Sequence, residues 1–122
     1  MCKILVKKKI LVAEDEEEIL LFLKLILELG GYEVITARDG GICLSLYEKE
    51  KPDLVISDIK MPVLSGLEIY EKLKDKTKFI FVSGIVTEKD IPYELVERKM
   101  FFTKPIEPKG FVKRVSEVFS DG

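Results

Sequence analysis

The sequence predicts an α/β fold in which a five-stranded parallel sheet is covered by helices on both faces. Five short apolar segments alternate along the chain with five segments of helical character. Strands joined in this way by helices form a parallel sheet through right-handed crossovers. The third segment is apolar at consecutive positions from Leu54 to Ile56, which is typical of a strand buried on both faces. We expect one domain over residues 1–122, with residues 1–7 either extending the first strand or forming an N-terminal extension.

The first half of the chain is expected to hold three strands and two helices. Apolar periodicity identifies each element, and glycine or Asp-Gly pairs mark where it ends. In order, we assign a strand at 10–13, a helix at 16–29 closed by Gly30 and Gly31, a strand at 32–37, a turn at Asp39 and Gly40, a helix to about Lys49, and a strand that ends at Asp58.

The second half is expected to hold three helices and two strands. Pro92 falls inside the fourth helical segment, and because proline is tolerated only in the first turn of a helix, we expect that helix to be short, late-starting or distorted. We assign a helix at 67–74, a strand at 79–83, a helical stretch at 88–99, a strand at 100–104, and a helix at 109–119 with Phe111, Val112, Val115, Val118 and Phe119 on one face.

Helix one is unusually apolar, and we expect it to carry a partner surface. Successive residues of a helix are 100° apart, which gives the helix two separate apolar sides. Apolar residues beyond what a core needs often mark an interaction surface. One side is expected to hold Ile19, Phe22, Leu23 and Ile26, and the opposite side Leu21 and Leu25 with Lys24 and Glu28.

Composition excludes several classes of function. The 20 basic and 22 acidic side chains give no global attraction to nucleic acid. The chain contains no histidine, which excludes histidine catalysis and histidine metal sites. Cys2 and Cys43 fit no metal or redox spacing, and the most apolar segment, residues 19–29, is too short to span a bilayer. We therefore expect a reduced cytoplasmic protein that binds neither membranes nor, directly, nucleic acid.

Polar side chains follow four of the predicted strands. Glu14 and Asp15 follow strand one, Asp58 ends strand three, Ser83 ends strand four and Lys104 ends strand five. In a parallel sheet the carboxyl ends of the strands lie at one edge, where such folds bind their ligands. Each residue alone also fits an ordinary role, such as a turn or the first turn of a helix. Their joint placement predicts one site.

The chemistry of this site follows from its charges. Three converging carboxylates repel one another, which favours a hard divalent cation such as Mg²⁺. Asp58 can then act as a nucleophile towards an activated phosphorus and form an aspartyl phosphate. Lys104 can neutralise one phosphoryl oxygen, and Ser83 can donate a hydrogen bond to another. The residues therefore predict phosphoryl transfer.

The sequence resembles the receiver domain of two-component response regulators. The resemblance covers residues 8–119 and rests on "LVAEDE", "ISDIKMPVLSG", "FVSG" and "FFTKP" in the family's order. It implies a flavodoxin-like fold with strand order 2-1-3-4-5. The strand order follows from this resemblance alone, because the sequence patterns described above do not determine it. It also implies Asp58 as phosphoacceptor, Glu14 and Asp15 as the acidic pair, and an Mg²⁺ site formed by Glu14, Asp15, Asp58 and the backbone carbonyl of Lys60, with Asp15 as a direct ligand.

Further roles are implied by the same resemblance. Ser83 and Phe101 match the hydroxyl and the aromatic residue of the family's switch, and the Lys104-Pro105 peptide bond is expected to be cis. Lys60 and Ile85 occupy the positions that control the access of water to the phosphoryl group. The sequence departs from the family in three features: Glu14 replaces the commoner aspartate, the stretch "YELVERKMFF" lacks the small Gly-Ala step usual before strand five, and Pro92 falls inside the fourth helical segment.

The resemblance implies a phosphodonor that is a histidine kinase or a phosphotransfer protein, and a downstream protein target or an output domain. It leaves open a homodimer linked to phosphorylation. Two alternatives remain: a phosphorylation-independent binding module of the same fold, and a phosphatase of the haloacid dehalogenase type. The phosphatase needs a second aspartate two residues after the nucleophile, where this sequence has Lys60. A flavin carrier is disfavoured because the run "EDEEE" would repel the flavin phosphate.

Overall fold

The computed structural model describes residues 7–84 and 90–120, and within these ranges it contains five strands and five helices. The strands are all parallel and lie in the order β2-β1-β3-β4-β5, which confirms the expected fold. The expectation for residues 1–6 lies outside the described residues. The elements are β1 Lys9–Ala13, α1 Glu17–Leu29, β2 Glu33–Ala37, α2 Gly40–Glu50, β3 Leu54–Ser57, α3 Gly66–Leu73, β4 Lys78–Ser83, α4 Tyr93–Glu97, β5 Phe101–Thr103 and α5 Pro108–Ser120.

The core has two layers, one on each side of the sheet. Alternate residues of β1 point to opposite faces, so that Ile10 and Val12 pack with α1 and α5, whereas Leu11 packs with α2 and α3. All four residues of β3 are fully buried, as the run of consecutive apolar residues predicts. None of the helices in the described residues is long and apolar enough to cross a membrane.

Four helices begin within one residue of the expected positions, whereas α4 begins later than expected. The turn before α2 is one residue shorter than expected, because the chain bends at residues 38–39 and Asp39 is the N-cap of α2, whose carboxylate accepts a hydrogen bond from the amide of Ile42 at 2.8 Å. The helix therefore begins at Gly40. Of the helical stretch predicted at 88–99, residues 88 and 89 lie outside the described residues, and within 90–99 the helix α4 covers Tyr93–Glu97 with Pro92 at its N-cap. This is the late start that the proline implies.

The side of α1 expected to hold Ile19, Phe22, Leu23 and Ile26 is only partly the side that meets the core. The buried residues are Leu20, Leu23, Ile26 and Leu27, whereas Phe22 is 38% exposed. The core face is rotated towards Leu20 and Leu27, because Phe22 lies instead beside Pro105 and Ile106, at an apolar cavity of about 460 Å³. Leu21 and Leu25 are exposed, as the sequence predicts. The periodicity of the segment identifies a helix but does not determine which of its apolar sides meets the sheet.

Candidate functional site

The carboxyl ends of β1, β3, β4 and β5 meet around a cavity of about 250 Å³. The residues at these ends are the ones that the sequence singles out, together with one further carboxylate, Glu16. The cavity is lined by Asp15, Glu16, Asp58, Lys60, Ser83, Gly84 and Lys104. Phe101 does not line this cavity, and Ile85 lies outside the described residues.

The Asp58 carboxylate is held from two directions. Its Oδ1 accepts a short hydrogen bond from the Ile59 amide at 2.6 Å and a long one from the Lys60 amide at 3.4 Å. Its Oδ2 lies 2.9 Å from the Nζ of Lys104. The residue is only 7% exposed, but it opens onto the cavity. A carboxylate held by backbone amides and an ammonium has a defined orientation, which positions one of its oxygens towards the cavity as a nucleophile.

The backbone of Asp58 is also restrained, and sequence reasoning missed the residues that restrain it. The buried Ser57 hydroxyl donates to the Asp58 carbonyl oxygen at 2.7 Å, and the Gly66 amide donates to the Ile59 carbonyl at 2.7 Å. Gly66 begins α3, whose N-cap Ser65 forms a capping box with Glu68. The signal for this arrangement was present as "SGLE", a serine three residues before a glutamate. The start of α3 thus holds the end of β3 in place.

Lys104 is the positive centre of the site. Its Nζ lies 2.7 Å from Oε1 of Glu14, 2.9 Å from Oδ2 of Asp58 and 3.9 Å from Oε1 of Glu16. Burial alone would lower the pKa of the ammonium, but the contacts with Glu14 and Asp58 outweigh it and raise the pKa. Lys104 is therefore charged at neutral pH. The side chain reaches the site directly after β5, where the Lys104-Pro105 peptide bond is cis.

Glu14 lies beneath the cavity and is almost completely buried. Its Oε2 accepts a hydrogen bond from the Glu16 amide at 3.1 Å. Burial raises the pKa of Glu14 above its usual range, although Lys104 and the Glu16 amide act to lower it.

The acidic residues meet the requirements of a magnesium site. Ligand oxygens of Glu14, Asp15 and Asp58 all lie within 4.8 Å of one another. The donor set consists only of oxygen atoms, and Asp15 is exposed, so that water can complete the coordination. Mg²⁺ prefers such oxygen ligands and retains several of its waters. These three carboxylates therefore fit the cation that the sequence predicts.

The two residues assigned to a switch lie at opposite ends of two neighbouring parallel strands, β4 and β5. Ser83 ends β4 at the cavity and is 3% exposed. Phe101 begins β5 opposite Phe81 and is half-buried. It borders a second cavity of about 370 Å³ between α4 and α5, which is also lined by Val96, Lys99, Phe102 and Arg114. A rearrangement of β5 would therefore change a surface remote from Asp58.

The comparisons with known proteins agree with this geometry. The family described as the response regulator receiver domain matches residues 10–116. The chain belongs to this family. The receiver domain is 39% identical over 116 residues to the alkaline phosphatase synthesis transcriptional regulatory protein PhoP of Bacillus subtilis, covering 91% of this chain and 48% of that protein.

Other relatives support the assignment of the receiver domain to two-component signal transduction. The nisin biosynthesis regulatory protein NisR of Lactococcus lactis is 36% identical and is covered to 48% of its length. The structure of a CheY-like receiver domain protein from Methanospirillum hungatei superposes with a TM-score of 0.83 at 30% identity, covering 95% of this chain and 96% of that one. The chain thus spans about half the length of these curated relatives and nearly all of the solved receiver domain.

Proposed function

We propose that this receiver domain accepts a phosphoryl group on Asp58 from a phosphohistidine of a histidine kinase or a phosphotransfer protein. The observation that carries the proposal is the Asp58 carboxylate, held 2.9 Å from the Lys104 ammonium in a cavity that is open to solvent. In the reaction, a carboxylate oxygen of Asp58 attacks the phosphorus and the P–N bond of the donor breaks. The electron pair of that bond remains on the imidazole nitrogen of the donor.

The residues around Asp58 have defined roles in this step. Lys104 exchanges its contact with Asp58 for one with a phosphoryl oxygen, while Glu14 continues to hold the ammonium. Ser83 donates its hydroxyl to another phosphoryl oxygen. Glu14, Asp15, Asp58 and the backbone carbonyl of Lys60 would hold Mg²⁺, which offsets the repulsion between the carboxylates and the incoming phosphate. The domain catalyses only its own phosphorylation and dephosphorylation and acts on no other substrate.

The test is incubation of the protein with a small acyl phosphate and Mg²⁺, followed by intact mass measurement. We expect the mass to increase by one phosphoryl group, and the increase to disappear when a chelator removes Mg²⁺. Steady hydrolysis of phosphate esters would instead support the phosphatase alternative. No increase in mass with any donor would support the phosphorylation-independent binding module.

The partners follow from the same proposal. The curated relatives named above are regulatory proteins about twice as long as this chain, and PhoP is a transcriptional regulator. Phosphorylation would therefore act on an output domain or on a separate protein target, with no direct contact between this domain and nucleic acid. Phosphotransfer from a histidine kinase would take place in the cytoplasm.

Phosphorylation is expected to shift a two-state equilibrium that reaches Phe101. A phosphoryl group on Asp58 would attract the Ser83 hydroxyl and allow Phe101 to turn inward, which changes the surface formed by α4, β5 and α5. Such coupling is typically about 1–3 kcal/mol. We expect Ser83→Ala to retain phosphorylation but to weaken the accompanying changes in amide chemical shifts around Phe101. If the wild-type spectrum is the same before and after phosphorylation, there is no switch.

The aspartyl phosphate is expected to be long-lived because of Lys60. Hydrolysis needs a water oriented towards the phosphorus, and the exposed Lys60 side chain lines the cavity without offering an acceptor for the water protons. Lys60→Asn supplies such an acceptor and is expected to accelerate the decay of purified phosphoprotein about tenfold, or about 1.4 kcal/mol. Lys72→Asn, on the exposed side of α3, is the matched control. Equal decay rates for Lys60→Asn and wild type would contradict this account.

A further inference from the structure

Helix α4 contributes little to the hydrophobic core. Only Leu95 of its five residues is buried, and the helix follows directly on Pro92, whose side chain forms no capping hydrogen bond. A helix of one to two turns has little stability of its own, because each end leaves backbone groups without partners. The position of α4 therefore depends on its contacts with the neighbouring elements.

A hydrogen bond from α3 holds the beginning of α4. The Tyr70 hydroxyl donates to Oε1 of Glu94 at 2.6 Å, and this bond lowers the pKa of the Glu94 carboxyl, which is therefore charged at neutral pH. The Tyr70 ring is buried and packs against Phe79 and Phe81 of β4, with ring centroids 5.3 and 5.7 Å away. Glu94 is thus bonded to a side chain that is itself fixed by packing. We refer to this bond as the α3 latch.

Arg114 of α5 holds the other end of α4. Its Nη2 donates to the carbonyl oxygen of Arg98, and its Nε donates to that of Lys99 at 3.2 Å. Arg98 is the C-cap of the helix, and Lys99 follows it with a φ of 58°, a left-handed conformation that lysine adopts only at a cost. Carbonyl groups at the end of a helix have no partner within it, so the guanidinium supplies hydrogen bonds that they lack. We refer to these bonds as the α5 latch.

Both latches are connected to Phe101, the aromatic residue of the proposed switch. Lys99 and Arg114 of the α5 latch line the same cavity of about 370 Å³ as Phe101. Tyr70 of the α3 latch packs against Phe81, which is paired with Phe101 across β4 and β5. A movement of α4 and β5 relative to α3 and α5 would therefore break these hydrogen bonds.

We propose that Tyr70 and Arg114 are positioning residues that oppose the switch by holding α4 in the described arrangement, in which Asp58 contacts Lys104. This role rests on the proposed function and regulates the same site. A contact that exists in only one of two arrangements lowers the population of the other. Removal of a latch is therefore expected to favour the arrangement of the phosphorylated domain and, by linkage, to make phosphorylation easier.

Hydrogen exchange of the α4 amides tests the α3 latch. Tyr70→Phe removes the hydroxyl but keeps the ring that packs in the core, so the domain should fold. We expect the Val96 amide, which donates to the Pro92 carbonyl, to exchange about fivefold faster, as for the loss of one hydrogen bond. Tyr47→Phe is the matched control, because the Tyr47 hydroxyl donates to the Lys76 carbonyl at 3.3 Å and so connects α2 to the turn after α3. Exchange at Val96 should be unchanged in this control.

The same measurement tests the α5 latch. Arg114→Met keeps an unbranched stem but removes the donors, and the Met100 amide, which donates to the Leu95 carbonyl at 2.8 Å, should exchange about tenfold faster. Arg114→Lys keeps one charged donor group and should give an intermediate rate. Glu117→Gln is the matched control, since it removes the 3.4 Å ion pair of Arg114 with Glu117 but keeps the bonds of the guanidinium to α4. It should exchange like the wild type.

Phosphorylation by a small acyl phosphate with Mg²⁺ tests the connection to the switch. Neither Tyr70 nor Arg114 lines the cavity of Asp58, so a purely structural role would not accelerate the reaction. We expect Tyr70→Phe and Arg114→Met to be phosphorylated about threefold faster than the wild type. Their amide chemical shifts around Phe101 should also move, before any donor is added, towards those of the phosphorylated wild type.

Equal exchange rates in the latch variants and their controls would overturn the proposal. Faster exchange without faster phosphorylation would contradict it as well, because α4 would then be held without any effect on the switch. If the wild type itself takes up no phosphoryl group, the proposed function fails and the switch fails with it. If the wild type is phosphorylated and the latch variants match it, only the role of the latches is wrong.

Discussion

Asp58→Asn is expected to reduce phosphoryl uptake from a small acyl phosphate to the background level. The amide retains the size of the side chain and can still contact the Ile59 amide and Lys104. However, an amide oxygen is a poor nucleophile, and the variant also loses one of the three carboxylates that would hold Mg²⁺. Both effects lower the rate, and the intact mass should remain that of the unmodified protein.

Asp53→Asn is the matched control for this experiment. Asp53 lies at the opposite end of β3, where its carboxylate accepts a hydrogen bond from the Lys9 amide at 2.8 Å. This variant should be phosphorylated at the rate of the wild type. If Asp58→Asn still gains one phosphoryl group, another side chain accepts it, and the assignment of Asp58 as the phosphoacceptor is wrong.

Gly66→Ala is expected to destabilise the fold by about 3 kcal/mol, near the upper end for a single-methyl overpacking change. A Cβ at this position would lie 2.0 Å from the Asp58 carbonyl oxygen and 2.9 Å from Cα of Ile59. These are backbone atoms at the end of a fully buried strand, so they cannot move aside without breaking the contacts that hold Asp58. The midpoint of urea unfolding should fall, with little change in slope.

Gly110→Ala is the control that separates this steric effect from the effect on stability of replacing any helical glycine by alanine. Gly110 lies in α5, and the nearest atom to an added Cβ is Oε1 of Glu107 at 3.1 Å, which is the end of a flexible side chain. Alanine favours a helix over glycine by about 1 kcal/mol, so this variant should be as stable as the wild type or more stable. A Gly66→Ala protein that unfolds at the same urea concentration as the wild type would show that the loop adapts to the methyl group.

The architecture and the residues that meet at the site could be predicted because each strand and its end leave a local pattern in the sequence. An uninterrupted apolar run such as Leu54–Ile56 identifies a strand buried on both faces, whatever its neighbours are. Once the sheet is known to be parallel, the residue that follows each strand must lie at one common edge. Asp15, Asp58, Ser83 and Lys104 were assigned to one site for this reason, and they line one cavity.

The amino-acid sequence by itself determined the parallel fold and the set of residues at the strand ends, because alternation and burial leave a direct pattern in the residues. Only the tertiary structure decided which side of α1 meets the core, where Phe101 lies, and that Glu16, Ser57 and Gly66 belong to the site. A helical period does not depend on the rotation of the helix about its axis, and a close approach such as that of Gly66 to Asp58 depends on how α3 packs against β3. The rotation of α1 and the approach of Gly66 to Asp58 are both set by packing between elements. Packing selects one arrangement among several that the local sequence permits equally.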